Sequence, residues 1–112
     1  MGRIQSYKTY TVLPDPNGYS SLTISNSEAS LTIPAGTTPN AATLVVVGNT
    51  LDTDPVPLIW YTLNGETPSA SNGMPLYNGG VLEIFEGELR NARFIRATGN
   101  DQTLKVEFAT VS

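Results

Sequence analysis

Nowhere in this chain does an apolar stripe of 3.6-residue period last three turns, which excludes a fold built on helices. Apolar residues alternate instead along short runs. Leu22 and Ile24 do so, as do Leu31 and Ile33, and Leu104, Val106 and Phe108 oppose Lys105 and Glu107. Val81, Glu83 and Phe85 likewise alternate with Leu82 and Ile84. Such alternation marks strands with one buried face. Between the runs stand residues that turn a backbone sharply: Asn64-Gly65, Asn72-Gly73, Asn78-Gly79 and Thr98-Gly99-Asn100-Asp101. Seven or eight short strands at this spacing predict an all-β fold, a single small antiparallel β-sandwich of immunoglobulin-like or jelly-roll-like type. At 112 residues the chain is long enough for one domain with its own core.

The N-terminal stretch, residues 3–13, is β-prone until Pro14-Asp15-Pro16-Asn17-Gly18 stops it. It reads either as an edge strand or as an extended arm reaching a neighbour, which divides the chain into residues 1–18 and a sandwich domain over 19–112. Strands are expected at Tyr19–Ile24 and at Ser30–Ile33. The β-branched run Ala41–Val47 suits a central strand covered on both sides. Further strands are expected at Leu58–Thr62, Val81–Phe85, Arg93–Ala97 and Gln102–Thr110. Residues 86–92 are left as one helical turn or an irregular bridge.

Composition narrows the chemistry. The chain has no cysteine and no histidine, so thiolate chemistry, disulfides and the commonest metal ligand and general base are all missing. A net charge of −4 with few basic residues argues against nucleic-acid binding. No apolar run approaches the roughly 20 residues of a membrane helix. Asp52 and Asp54 invite a calcium reading, but without further ligands they read better as an acidic solvated turn. Glu83, Glu86 and Glu88 lie close in sequence, yet Glu83 and Glu86 fall on opposite faces of a strand and read as surface carboxylates. No catalytic residue, metal site or cofactor is therefore expected. Arg90, Arg93 and Arg96 recur every third residue. They either meet acidic groups on a partner or neutralise Glu83, Glu86, Glu88 and Asp101 within the molecule. Trp60, Tyr61 and Tyr77 suggest an aromatic platform for sugars; Trp60 is expected instead in the core, and the two tyrosines stay undecided.

Two resemblances bear on function. The run Trp60-Tyr61-Thr62-Leu63-Asn64-Gly65-Glu66-Thr67-Pro68-Ser69, followed by Tyr77 and Phe94-Ile95-Arg96-Ala97, resembles the Tyr-Thr-x-Asp-Gly-x-x-Pro-Thr signature of a small immunoglobulin-like sandwich. That module is found at the C-terminus of chitobiase-type glycosidases and in bacterial surface proteins; here Asn64 replaces its Asp and Ser69 its Thr. Over residues 31–108 the order of motifs is similar to short virion proteins of tailed bacteriophages. It runs Ile33-Pro34-Ala35-Gly36, a Val-rich strand, the Asn64-Gly65 to Pro68 turn, Gly73, Leu76 and Gly79, Phe94-Ile95-Arg96-Ala97, Gly99, Asp101, then Leu104 and Val106. The aromatic ending usual in that family is Phe108-Ala109-Thr110 here, and residues 1–30 lie outside the likeness. Together the resemblances imply a non-enzymatic virion protein, made in the host cytoplasm and best placed on the capsid surface as a decoration or cement protein. A neck, tail or head-fibre component is the alternative within the virion, and a carbohydrate-binding module the alternative of another class. The partners implied are the major capsid protein or other virion proteins, together with copies of the chain itself, a trimer suiting a capsid site of local threefold symmetry. Candidate contact residues are Ile4, Tyr7 and Tyr10 of the arm, with Arg90, Arg93 and Arg96.

Overall fold

The computed structural model describes residues 9–53 and 55–112. In chain order the elements are β1 (Tyr10–Val12), β2 (Tyr19–Ile24), β3 (Ala41–Val47), β4 (Ile59–Thr62), β5 (Met74–Leu76) and β6 (Val81–Phe85), then a helical turn α1 (Glu88–Asn91), β7 (Arg93–Arg96) and β8 (Gln102–Val111). They form two antiparallel sheets. In the larger, β8 lies between β3 and the pair β1 and β2, and β6 closes the far side of β3. The smaller has the order β5-β4-β7. Among the described residues no helix is long and apolar enough to cross a membrane.

The inward faces of the two sheets meet in one apolar cluster. Leu44, Ile84, Leu104, Val106 and Phe108 come from the larger sheet, Ile59, Leu76 and Phe94 from the smaller. Burying each large side chain contributes about 1.5–3 kcal/mol, so this shared cluster is what makes the two sheets one sandwich-like unit. Leu89 and Ala92, on and just after α1, are also buried in it. The Glu88 carboxylate accepts from the Phe85 N–H (3.0 Å) and so occupies a donor on the outer edge of β6.

β1 and β2 lie end to end along one side of β8. Val12 stands opposite Ala109 and Tyr19 opposite Glu107. Between them the Leu13 N–H donates to the Phe108 carbonyl (3.0 Å), and the Phe108 N–H donates to the Gly18 carbonyl (2.8 Å). Residues 14–17 are thus an excursion from a single edge strand, with a cis Asp15–Pro16 peptide. At the neck of the excursion a Cβ on residue 18 would lie 2.3 Å from the Leu13 carbonyl oxygen, which leaves glycine as the residue that fits. Of the two readings of residues 3–13, Tyr10–Val12 take the edge-strand one. Ile4 and Tyr7 lie outside the described residues.

Three expectations need correction. Ser30–Ile33 is not a strand. Leu31 and Ile33 do pack on the core, so the alternation reported which side chains go inward, but their backbone pairs with no ladder. The pairing in this region comes earlier: Ala29 and Phe94 exchange both backbone bonds (2.8 and 2.9 Å), and the Arg96 N–H donates to the Ser25 carbonyl (2.9 Å), covering the open edge of β7. β3 is central in its sheet but not covered on both faces. Leu44 and Val46 are buried, while Val45 is half-buried and Val47 is 47% exposed. Finally, β5 falls between the Asn72-Gly73 and Asn78-Gly79 turns, where the sequence predicts no strand. It is an edge strand, paired only with β4, and so tolerates Pro75.

Candidate functional site

Successive residues of a strand point to opposite faces, so the register fixes which side chains the larger sheet turns away from the core. One rung across the outer face reads Tyr19, Glu107, Thr43, Glu83, and the next reads Ser21, Lys105, Val45, Val81. Beyond them lie Val47 and Thr103 at one end and Phe85, Ala41 and Ala109 at the other. Ala41 and Ala109 are buried although they point outward. The Tyr10 hydroxyl explains this. It bonds to Thr43 Oγ1 and Glu107 Oε1, both at 2.9 Å, so from its place opposite Val111 the ring must pass over the two alanines. Partial burial raises the phenol's pKa above its usual value, and hydrogen bonding to Glu107 with the charges of Glu107 and Glu83 adds to that, against a lowering bond from Thr43.

Beyond the Tyr10 ring the face opens into a groove of about 340 Å³, lined among others by Tyr19, Ser21, Val45, Lys105 and Glu107. Lys105 Nζ donates to the Ser21 hydroxyl at 2.8 Å. The groove combines an aromatic ring, aliphatic surface, one cation and one carboxylate, a set suited to noncovalent binding. Of the candidate contact residues that lie among the described residues, Tyr10 alone belongs to this face, joined there by Glu83, which reads from the sequence as a surface carboxylate. Its other members were not singled out, although a signal existed: Val45, Val47, Val81 and Phe85 occupy the positions of their strands where a solvated face would carry polar residues.

The arginines do not form one stripe. Arg93 and Arg96 stand opposite Thr62 and Ile59, an odd spacing along β7 that sends them to opposite faces of the strand. Arg93 donates to the carbonyls of Arg90 (2.7 Å) and Ala92 (2.9 Å) at the end of α1, where a cation complements the exposed carbonyls. Arg96 pairs with Asp101 at 2.6 Å. Two of the three thus act within the molecule, and Arg90 is exposed on α1. Among the acidic residues, Glu83 is exposed on the outer face, and Glu86 adopts a left-handed backbone (φ +55°) at the end of β6.

Asp52 lies in the loop after β3, and Asp54 lies outside the described residues. The Asp52 carboxylate accepts from Gln102 Nε2 (2.7 Å), Thr98 Oγ1 (3.2 Å) and Asn100 Nδ2 (3.2 Å). Gln102 is itself buried, and its Oε1 accepts from the Asn49 N–H at 2.8 Å. The cluster ties the loop after β3 to the β7–β8 turn. Among the described residues no group of three or more His, Cys, Asp or Glu side chains is placed to hold a metal ion. The Gln102 bond, with those from Asn100 and Thr98, holds the Asp52 pKa below its ordinary value against a smaller opposing effect of desolvation.

A carboxyl whose folded pKa is below its unfolded one adds stability above the unfolded value, about 3.9, and loses it as pH falls through the folded value. The Asp52→Asn variant should therefore show a flatter loss of stability than the wild type below about pH 4. Urea titrations at pH 6 and pH 3 check this: the stability gap between the two proteins must narrow at pH 3.

The expected sugar platform is not assembled. Trp60 is not in the core: it stands opposite Pro75 and Ile95, is half-buried and belongs to the outer face of the smaller sheet. Its neighbour Tyr61 points the other way, packs on the core and meets the Phe94 ring at 6.5 Å between centroids. Tyr77 is exposed beyond the end of β5. The Trp60 position follows from register, since Ile59 and Phe94 occupy the inward positions of this short sheet.

Comparison with protein-family models, with curated proteins and with solved structures finds no match to this chain.

Proposed function

We propose that this chain is a non-enzymatic structural protein of a tailed-bacteriophage particle, acting as a decoration or cement protein that binds the outer capsid surface and braces the joints between capsomers. The resemblance of residues 31–108 to short phage virion proteins supports this, and we read the two-sheet fold as immunoglobulin-like on the likeness of Trp60–Ser69 to the chitobiase-type module. The structural observation that carries the reading is the anchoring of the N-terminal stretch. Thr9 exchanges both backbone hydrogen bonds with Ser112 (3.0 and 3.1 Å), and Tyr10–Val12 pair along β8, the strand that also holds β2 and β3. A contact made by Ile4 or Tyr7 therefore starts from a fixed point on the central strand, which suits an attachment segment. Many such contacts, each weak, brace a shell collectively because multiple attachments raise the effective concentration of each.

The test is the copy number of the chain per particle, measured against the major capsid protein in purified virions, for the full chain and for one beginning at Thr9. A ratio near one or a simple fraction of it is expected for the full chain, with a large loss for the shortened one. The edge strand is kept in both, so a difference reports on residues 1–8 alone. A few to a few dozen copies would move the chain to the neck, tail or fibres, and absence from the particle would overturn the reading.

A further inference from the structure

The outer face of the larger sheet presents aliphatic and aromatic surface where a solvated sheet is ordinarily polar. Val81 is 60% exposed, Val47 47% and Phe85 43%, with Val45 between them and Tyr19 at the rim. The charges on this face have a pattern of their own. Glu107 and Lys105 occupy neighbouring outward positions on β8; Glu107 accepts from the Tyr10 hydroxyl (2.9 Å) and Lys105 donates to the Ser21 hydroxyl (2.8 Å). Among the described residues the one ion pair is Arg96–Asp101, so neither charge is neutralised by a salt bridge there.

We propose that this face packs against the same face of a second copy, about a two-fold axis running across the strands between the Glu107 and Lys105 rungs. Turning the sheet about that axis sets Glu107 over the second copy's Lys105 and Lys105 over its Glu107. The same operation sets Val45 over the methyl group of Thr43 and Val81 over Glu83, which keeps Glu83 away from the facing Glu107. A face whose opposite charges lie on adjacent rungs of one strand is self-complementary under a two-fold, the requirement of an isologous interface. The Tyr10 ring limits the contact to the open part of the face. Four strands about 4.8 Å apart and five residues of about 3.4 Å cover roughly 330 Å² in projection. Allowing for side-chain relief, the two copies bury on the order of 1,000 Å² together, near the lower limit for a specific interface. The dimer is accordingly weak, and it forms whether or not the chain decorates a capsid.

Sedimentation velocity of the full chain from about 10 μM to 1 mM tests this, a range that spans weak association. A concentration-dependent shift to dimer is expected. Lys105→Glu and Glu107→Lys should each weaken it at least about tenfold by placing like charges face to face, and the double swap should restore it to within about threefold. Val81→Glu alters an exposed side chain that the fold does not need, and by setting a carboxylate over the second copy's Glu83 it should abolish the dimer even if Glu107→Lys loosens Tyr10. Circular dichroism establishes that each variant is folded. A monomer throughout the range, a dimer indifferent to Lys105→Glu and Val81→Glu, or a double swap without rescue would each overturn the proposal.

Discussion

Replacing Phe94 by alanine is expected to cost about 3–5 kcal/mol, the range for truncating a buried aromatic. Phe94 is fully buried on β7, and its ring faces that of Tyr61 at 6.5 Å. Its backbone also exchanges both hydrogen bonds with Ala29. The cavity would therefore open where the smaller sheet, the 25–29 segment and the common core meet, and no one of these can close it without disturbing the other two. Urea unfolding with intrinsic fluorescence measures the loss. Phe94→Leu keeps most of the volume and should cost much less, under about 2 kcal/mol. If alanine cost no more than leucine, the two sheets would not depend on a common packed core.

The second large effect is expected at a polar residue. Gln102→Leu should destabilise by about 3 kcal/mol, because it removes one member of a buried network and leaves the others unpaired. The Asn49 N–H loses its acceptor and the Asp52 carboxylate its shortest bond. Leucine fills a similar volume, so the cost reports hydrogen bonding rather than a void. For a domain of this size the melting temperature should fall by about 10–15 °C. Combining Gln102→Leu with Asp52→Asn should cost less than the sum of the two single changes, because the substitutions remove the same interaction. Strict additivity would mean that the loop after β3 does not rely on the cluster.

The sequence revealed most where a single physical rule decides the outcome. Alternation located β2, β6 and β8 to within a residue of their ends, because side-chain direction along a strand depends only on the pleat. It misled where pairing was the question. Leu31 and Ile33 alternate and pack inward, yet residues 30–33 have no neighbouring strand to bond, and nothing local in the chain records whether an edge is free. Trp60 failed for a similar reason, since hydrophobicity alone does not say which face of a short sheet a residue takes. The arginines recur at a period of three, which makes a stripe on a helix but splits between the two faces of a strand. The outer-face groove was hidden because it draws on three strands from distant parts of the chain. Gln102 was hidden because a buried glutamine and a surface one look alike until their partners are known. The valine-rich run at Ala41–Val47 did carry a hint, in that its outward positions Ala41, Val45 and Val47 are apolar and Thr43 is the single polar one.

The pairing of Thr9 with Ser112 has a mechanical consequence. Because β1 and β8 are antiparallel, force applied between these two residues acts along the hydrogen bonds rather than along the strands. The ladder would then open from Thr9 toward Val12, one rung after another, instead of resisting as a block in shear. Force entering at residue 9 and leaving through the opposite end of β8 would meet the sheared geometry and load several bonds at once. How hard this molecule is to pull apart thus depends less on the number of its bonds than on where it is gripped.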